Sequence, residues 1–355
     1  MESFQKQKST NDILNKGLVI FLLFINMACI KEVGTELVEE PISKSGNFSL
    51  GKMLDLPQTL VESDTHRYEK ILQHLVHNRP SKVWPVNSPF PLKGSIVPYN
   101  RVVAFYGNLY SSGMGVLGAL PDDEMLEKLL KEVEAWEKAD PMLPVIPALH
   151  YITVTAQRNP GPGRKYRLRM PFNQIEEIIR MAAKIDALII LDIQPGHSTL
   201  KEEIPQLNKY LSMPNVHLGI DPEYSMKGGE TPSKKIGTLD AADINYAATY
   251  LADLVHDFNL PPKMLIVHRF TREMITNYSK IETRSEVQII INMDGFGFAA
   301  KKINTYKYCV AAEPVQFTGF KLFYHQDTQD KRWPALMMPE EILNLYPKPI
   351  YIQYQ

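Results

Sequence analysis

The sequence predicts a barrel of eight parallel strands alternating with helices, and two observations carry this prediction. Short apolar runs each end on a polar or ionisable residue, at Asp192, Asp221, His268 and Asp294. Segments with apolar residues at helical spacing separate these runs along the chain. Strands that each deliver one polar side chain at the same end are typical of a (β/α)₈ TIM barrel, whose working face lies at the strand C-termini.

The predicted elements follow in order along the chain. A first amphipathic helix covers residues 60–78. The eight predicted strands are 101–106, 144–150, 187–192, 216–221, 264–268, 287–294, 318–324 and 349–354. The seven helices predicted between them are 122–138, 172–185, 200–212, 240–258, 271–280, 298–312 and 339–345. No helix follows strand eight, so we expect the helix at 60–78 to take the place of the missing last helix or to cover the barrel floor.

Composition supports a single large domain and argues against a nucleic-acid partner. The 355 residues are 44% hydrophobic and 22% charged, which is enough apolar material for one barrel core. The formal net charge is -1, whereas a nucleic-acid-binding surface is normally strongly basic. We therefore expect no nucleic-acid partner.

The N-terminal residues are typical of an export signal. A lysine-containing start precedes an apolar stretch at 17–28, and Cys29 follows directly after Ala28. This order resembles the lipobox of bacterial lipoproteins, in which that cysteine is lipidated. We therefore predict a signal peptide at 1–29, a flexible tether at 30–58 and the barrel domain at 59–355. The predicted location is the cell envelope, with membrane attachment only through the lipid; simple secretion and an uncleaved anchor are the alternatives.

Polar residues at the strand ends make up the predicted catalytic and substrate-binding set. The predicted catalytic residues are Glu223, Asp221, Asp294 and Asp192, and the predicted substrate-binding residues on the strands are His150, His268, Gln194, Asn292 and Tyr106. Carboxylates gathered in one cleft raise one another's pKa values, so that one stays protonated while another stays ionised. Glycoside hydrolysis needs such a pair, and we predict Glu223 as the general acid and Asp221 or Asp294 as its partner. Asp192 and His268 would then orient the substrate or tune these pKa values.

Two other functions use the same strand ends. A metal-dependent hydrolase would take its ligands from His150, Asp192, Asp221, His268 and Asp294. The His-x-His pair that many barrel metallohydrolases carry on one strand is absent from the sequence, so neither a metal nor another cofactor is expected. The second alternative is a non-catalytic lipoprotein that captures a glycan or another solute in the barrel mouth. A non-functional interpretation is also open, in which the polar residues at the strand ends only cap the side-chain layers of the barrel.

The loops after the first two strands add further candidates. The loop at 157–169 carries five positive charges, and Arg158 within it is a candidate for binding an acidic sugar or a phosphate; a merely solvated loop is the alternative. The glycine-rich loop at 107–118 lacks the spacing of a dinucleotide or phosphate-binding loop. Aromatic side chains near the strand ends suit sugar stacking, namely Trp333, Tyr110, Tyr224 and Tyr324. No Gly-x-Ser-x-Gly elbow is present, which leaves acyl transfer without support.

Three segments carry a resemblance to known proteins. Residues 188–196, 219–223 and 292–297 resemble those of an uncharacterised group of bacterial secreted lipoproteins, and the likeness covers about residues 100–355. It implies an envelope location and a glycosidase-like TIM barrel. Asp221-Pro-Glu223 is also similar to the Asp-x-Glu at a strand end of barrel glycosidases, including lysozyme-like and chitinase-like families. The full Asp-x-x-Asp-x-Asp-x-Glu run of the chitinases is absent, so the resemblance does not extend to their substrate-assisted chemistry.

Overall fold

The computed structural model describes residues 61–332 and 334–355. The predicted signal peptide, Cys29 and the tether at 30–58 lie outside the described residues, as does Trp333. Within the described ranges, eight parallel strands form the barrel. They are β1 (Arg101–Gly107), β2 (Val145–Ala156), β3 (Leu188–Ile193), β4 (Val216–Ile220), β5 (Lys263–Arg269), β6 (Val287–Met293), β7 (Phe317–Leu322) and β8 (Tyr351–Tyr354).

The strands pair in sequence order and close on themselves. Val103 of β1 lies opposite Pro147 of β2 on one side and Ile352 of β8 on the other, and both pairings are parallel. All neighbouring strands between β2 and β8 also pair in parallel. Parallel pairing around a closed ring, with helical segments in the connections, is the predicted (β/α)₈ TIM barrel.

Alternation along each strand separates an inner from an outer layer. On β1, Val103 and Phe105 pack in the outer cluster with the helices, whereas Val102 and Ala104 pack inside the barrel. The strands are buried on both faces, which explains why they read as nearly continuous apolar runs. Residues two apart on one strand therefore share the interior.

Five α-helices of seven or more residues lie in the described ranges. They are α1 (Val61–Leu75), α2 (Asp122–Ala139), α3 (Phe172–Ala183), α4 (Ala241–Asp257) and α5 (Ala299–Thr305). α2 begins with three acidic residues in its first turn, where the helix dipole favours them, and buries Trp136 on its apolar face. α4 begins with a capping box formed by Asp240 and Asp243. None of the helices in these ranges is both long and apolar enough to cross a membrane.

Several predicted helices differ from the structure. The helix predicted at 271–280 is wrong: two 3₁₀ turns flank the short strand Ile275–Thr276, which pairs with Leu239–Asp240. The helix predicted at 200–212 is broken into the pieces Leu200–Glu203, Ile204–Leu207 and Asn208–Leu211. Pro205 lacks a backbone N–H, which accounts for an interruption there.

Three further boundaries also differ. The helix predicted at 298–312 is α-helical only to Thr305 and continues as a π-helix to Ala311. The last helix is reduced to Pro339–Ile342. β2 runs beyond its predicted end at 150 to Ala156 and pairs there with the antiparallel strand Arg167–Arg169.

The first helix covers the floor of the barrel, at the N-terminal ends of the strands. Ile71 and Leu75 of α1 join Ile96 and Val97 in one apolar cluster with inward-facing residues of the strands. The backbone N–H of Lys348 donates to the carbonyl of Leu75 and ties α1 to the segment before β8. The predicted covering of the floor is therefore confirmed.

Candidate active site

The inner face changes from apolar to polar towards the strand C-termini. Inward-facing apolar residues such as Ala104, Ile190 and Ile266 occupy the lower part of the interior. Two positions further along the same strands stand Tyr106, Asp192 and His268. Eight of the predicted site residues are buried at this end of the barrel, on the strands or directly after them. They are Tyr106, His150, Asp192, Gln194, Asp221, His268, Asn292 and Asp294.

Three of these side chains converge at the centre of the barrel. Asp192 Oδ1 lies 3.2 Å from His150 Nε2 and 3.4 Å from His268 Nε2. All three residues are completely buried, and one ligand atom from each lies within 4.8 Å of the others. Strands β2, β3 and β5 supply them, so the cluster joins three strands across the interior. Of the residues that the structure describes, this is the group that could hold a metal ion.

Further polar groups hold these rings and the central carboxylate in place. His150 Nδ1 lies 2.7 Å from the hydroxyl of Tyr351 and 2.7 Å from the amide nitrogen of Gln353. His268 Nδ1 lies 3.0 Å from Asp294 Oδ2. The hydroxyl of Tyr106 donates to the second oxygen of Asp192 at 3.2 Å.

The central strand β4 makes room for this cluster with a glycine. A Cβ atom at Gly219 would lie 2.4 Å from Asp192 Oδ1 and 2.5 Å from His150 Nε2. Both distances are too short for any side chain to fit. Gly219 therefore allows the aspartate and the histidine to meet against the backbone of β4.

Lys321 brings a positive charge to the same end of the barrel. Its ammonium lies 2.9 Å from Asp294 Oδ1 and 3.8 Å from the centre of the Tyr106 ring. Asp294 is thus bound by Lys321 through one oxygen and by His268 through the other. Although burial favours its neutral form, these two partners lower the pKa of Asp294 and keep it ionised.

Asp221 and Glu223 bring two further carboxyl groups to the mouth. Asp221 is buried at the end of β4 and accepts a hydrogen bond from the backbone N–H of Glu223 at 3.0 Å. Pro222 begins a 3₁₀ turn over residues Pro222–Tyr224, which lifts Glu223 out of the strand into a partly exposed position. The i, i+2 spacing therefore brings both carboxyl groups to the mouth through a turn rather than through strand alternation.

The carboxyl groups of Asp221 and Glu223 differ from that of Asp294 in the direction of their pKa shifts. Burial and the negative charges of Asp294 and Asp192 raise the pKa of Asp221 to about 7, against the opposing effect of His268 and Lys321. Burial and the neighbouring carboxylates of Asp221 and Asp294 raise the pKa of Glu223 well above its usual range. The mouth therefore contains a carboxyl group that stays protonated and one that stays ionised.

The two central histidines have opposite pKa shifts. Burial lowers the pKa of His150 to about 4, although Asp192 partly offsets this. Burial also disfavours the charged form of His268, but Asp192 and Asp294 outweigh it and raise its pKa to about 10. At neutral pH, His150 is a neutral ring and His268 is the cation between two carboxylates.

Two amide side chains of the predicted set lie in the same interior. Gln194 donates to the hydroxyl of Tyr106 at 3.3 Å and accepts from the backbone N–H of Ala156 at 3.1 Å. Asn292 donates to Gln353 at 3.2 Å. These contacts place Gln194 and Asn292 as supports of the cluster.

The basic loop at 157–169 uses much of its charge within the protein. Arg167 and Arg169 both bind the buried carboxylate of Glu203, at 2.9 and 2.6 Å, and Lys165 binds Glu202 at 3.0 Å. Arg158 lies exposed in the loop between β2 and the strand Arg167–Arg169. The loop therefore does not offer five free charges to an anion, and Arg158 stays a prediction.

The glycine-rich loop and Tyr324 serve packing. A Cβ at Gly107 would lie 2.0 Å from the carbonyl oxygen of Leu117, and one at Gly115 would lie 2.1 Å from that of Tyr106. These glycines let the loop fold back on the end of β1. Tyr324 stacks on Tyr354 in the outer layer, where its hydroxyl donates to Glu132 on α2. It therefore does not lie at the predicted sugar-stacking position, and Trp333 is outside the described residues.

The sequence prediction missed Lys321, Tyr351 and Gln353. Each lies on the inner face of β7 or β8 near the cluster. A lysine inside the apolar run Thr318–Tyr324 was the available signal for Lys321, because a charged residue is rarely buried without a partner. Tyr351 and Gln353 gave no comparable signal, because neither side chain is charged and tyrosine is common in strands.

Comparisons with known proteins find a limited similarity among solved structures. The sequence matches no protein-family model, and no curated protein matches it. Among solved structures, a mannanase from Bacillus subtilis is similar, at 12% sequence identity, over 82% of this chain and 85% of that chain, with a TM-score of 0.38. The fold assignment rests on the closed ring of strand pairs described above.

Proposed function

We propose that this protein is an envelope-anchored hydrolase that acts on a carbohydrate, with Glu223 as general acid. One observation carries the proposal. A partly exposed carboxyl group that stays protonated, Glu223, shares the barrel mouth with Asp294, which is held ionised by ion pairs at 2.9 and 3.0 Å. Two carboxyl groups in opposite protonation states at one cleft are what glycoside hydrolysis requires.

Each residue of the mouth has a place in this mechanism. Glu223 gives its proton to the oxygen of the leaving sugar, while Asp294 or Asp221 acts on the opposite side as nucleophile or as base for a water molecule. Lys321 and His268 keep Asp294 anionic through the reaction. Asp192 and Tyr106 lie beneath these groups and fix the position of His268.

The proposed location rests on the sequence of the N-terminal residues. The lysine-containing start, the apolar stretch at 17–28 and Cys29 support export and lipidation. A hydrolase attached in this way would meet polysaccharide or oligosaccharide outside the cytoplasm.

The decisive experiment compares Glu223→Gln with the wild-type chain on paired substrates. Aryl glycosides with a dinitrophenolate leaving group need no proton from the enzyme, whereas natural disaccharides do. A panel of both types covers the common sugars. If Glu223 is the general acid, Glu223→Gln lowers kcat/KM on disaccharides by about 10²–10⁴-fold and on the activated glycosides far less.

Matched variants separate the acid from its partner. Asp294→Asn and Asp221→Asn show which carboxylate is the partner, because its loss slows both substrate types. Glu273→Gln, an exposed carboxyl in the loop after β5, is the control and keeps full activity. Full activity of Glu223→Gln contradicts the proposal. Saturable glycan binding without hydrolysis across the panel also contradicts it, and favours the solute-binding alternative.

A further inference from the structure

We propose that His150, Asp192 and His268 bind a divalent metal ion of the zinc class inside the barrel. This site lies beneath the carboxyl groups of the mouth, and the proposal does not depend on the proposed hydrolase function. The ligands would be two imidazole nitrogens and one carboxylate oxygen, a donor set that suits zinc and its neighbours in the first transition row.

The distances within the cluster agree with a coordination sphere. Ligand atoms about 2.1 Å from a tetrahedral metal ion lie about 3.4 Å from one another. Asp192 Oδ1 lies 3.2 Å from one histidine nitrogen and 3.4 Å from the other. Both values are long for a direct charged hydrogen bond, which measures about 2.7–2.9 Å.

The hydrogen bonding of these atoms is a second, independent observation. His150 Nε2, His268 Nε2 and Asp192 Oδ1 are fully buried, yet none has a hydrogen bond of regular geometry among the described residues. A buried polar atom without a hydrogen-bond partner lowers the stability of the fold. Three such atoms that point at one another are rare unless a further group binds them. A cation between them would satisfy all three.

The contacts on the far side of each ring also suit metal ligands. A metal-bound histidine normally donates its other N–H to a carboxylate or another acceptor, which fixes the ring. His268 Nδ1 lies 3.0 Å from Asp294 Oδ2. His150 Nδ1 lies 2.7 Å from the hydroxyl of Tyr351, which can accept a hydrogen bond, and 2.7 Å from the amide nitrogen of Gln353, which donates one. At His268 the ion would replace the proton on Nε2, and the remaining proton on Nδ1 faces Asp294. His150 would bind the ion through Nε2 with its proton on Nδ1, which requires the Gln353 amide to turn its oxygen towards that atom.

The site is closed, which points to a structural ion rather than the centre of the reaction. All three ligand side chains have no exposed surface, whereas Glu223 at the mouth is partly exposed. The ion would tie β2, β3 and β5 together across β4, where Gly219 provides the space. It would also hold His268 in the orientation in which it contacts Asp294.

The test is the metal content of the full chain, purified in detergent without chelator after growth in zinc-supplemented medium. We expect on the order of one zinc ion per chain. Replacing zinc by Co²⁺ should give the visible absorption bands of a cobalt site with nitrogen and oxygen ligands. Removal of the ion by chelator during refolding should lower the melting temperature, and zinc should restore it.

Variants locate the ion. His150→Gln should lose it, whereas His256→Gln, which changes an exposed histidine on α4, should keep it. Tyr351→Phe retains the size of the side chain and should fold; it should weaken zinc binding about 10-fold by releasing the His150 ring. Wild-type protein that takes up neither zinc nor cobalt in stoichiometric amount overturns the proposal. Zinc retained in stoichiometric amount by folded His150→Gln overturns it as well.

Discussion

The floor and the mouth of the barrel are opposite ends of the same eight strands, but they differ in what they bury. At the floor, α1 places Ile71 and Leu75 on an apolar cluster, and the buried guanidinium of Arg101 has Asp140 as its partner at 2.9 Å. At the mouth, polar and ionisable groups face one another, and more of their buried atoms lack regular hydrogen bonds than at the floor, where Arg101 Nη1 lacks one. Because buried polar groups without partners cost stability, we expect the floor to contribute more to the stability of the fold than the mouth, where the proposed function places the chemistry.

The largest effect on stability is therefore expected at the floor. Leu75→Ala removes a buried side chain that α1 contributes to the floor cluster, and should lower the free energy of unfolding by about 3 kcal/mol. Chemical denaturation measures this change. Glu69→Ala, an exposed position on the same helix, is the control and should change stability little.

The same variant tests whether the two ends are separate. Leu75→Ala should leave kcat and metal content unchanged at a temperature where it is fully folded. A fall in kcat without unfolding would show that the floor and the mouth are coupled, against the division drawn here.

A smaller effect is expected from the charge pair at the floor. Although burial opposes ionisation, His74 and Arg101 lower the pKa of Asp140 below its usual value. A carboxylate with a lowered pKa in the folded state contributes stability that is present above the unfolded-state pKa of about 3.9 and is lost as the pH falls below it. Asp140→Asn should thus cost about 2 kcal/mol at neutral pH.

Acid unfolding distinguishes this pair from general destabilisation. The wild-type chain should lose more stability than Asp140→Asn between about pH 5 and pH 3. This range covers about one unit on each side of the unfolded-state pKa. Asp253→Asn, at an exposed position on α4, should lose as much as the wild type. Parallel losses in all three proteins would show that Asp140 is not stabilised by its partners.

The smallest effect on stability is expected at the rim of the mouth. Arg158 is exposed, so Arg158→Ala should change the free energy of unfolding by less than about 0.5 kcal/mol. If it contacts an anionic group of the substrate, KM should rise up to about 5-fold with kcat unchanged, as for an exposed ion pair. Arg180→Ala, on the outer helix α3, is the control for a general loss of charge. An unchanged KM on every acidic substrate would remove Arg158 from the binding set.

The sequence predicted the barrel and the end that carries the polar residues because strand burial and side-chain alternation are local properties. Asp192, His268 and Asp294 each end an apolar run, and this pattern needs no knowledge of distant contacts. Covering the floor was one of the two placements that the sequence analysis predicted for the helix at 60–78, the other being the place of the last barrel helix. The helix predicted at 271–280 failed because the segment is polar and its pairing with Leu239–Asp240 joins residues far apart in sequence.

The geometry of the candidate site could not be predicted, because it depends on contacts between residues that are far apart in the sequence. His150 and Asp192 meet only because Gly219, on a third strand, leaves room for them. Arg167 and Arg169 looked free for an anion until Glu203, more than 30 residues away, was found to bind both. The charge state of Asp294 likewise depends on Lys321, which the predicted site did not include.

The placement of α1 has a practical consequence for handling the protein. α1 lies against the floor, while Gln355 follows β8 at the mouth and its side chain donates to the carbonyl of Met114 in the loop after β1. A purification tag or a bead linker fused after Gln355 would therefore sit beside the entrance and obstruct large polymers. Immobilisation through an exposed side chain of α1, such as Lys70, would leave the entrance open on the opposite pole.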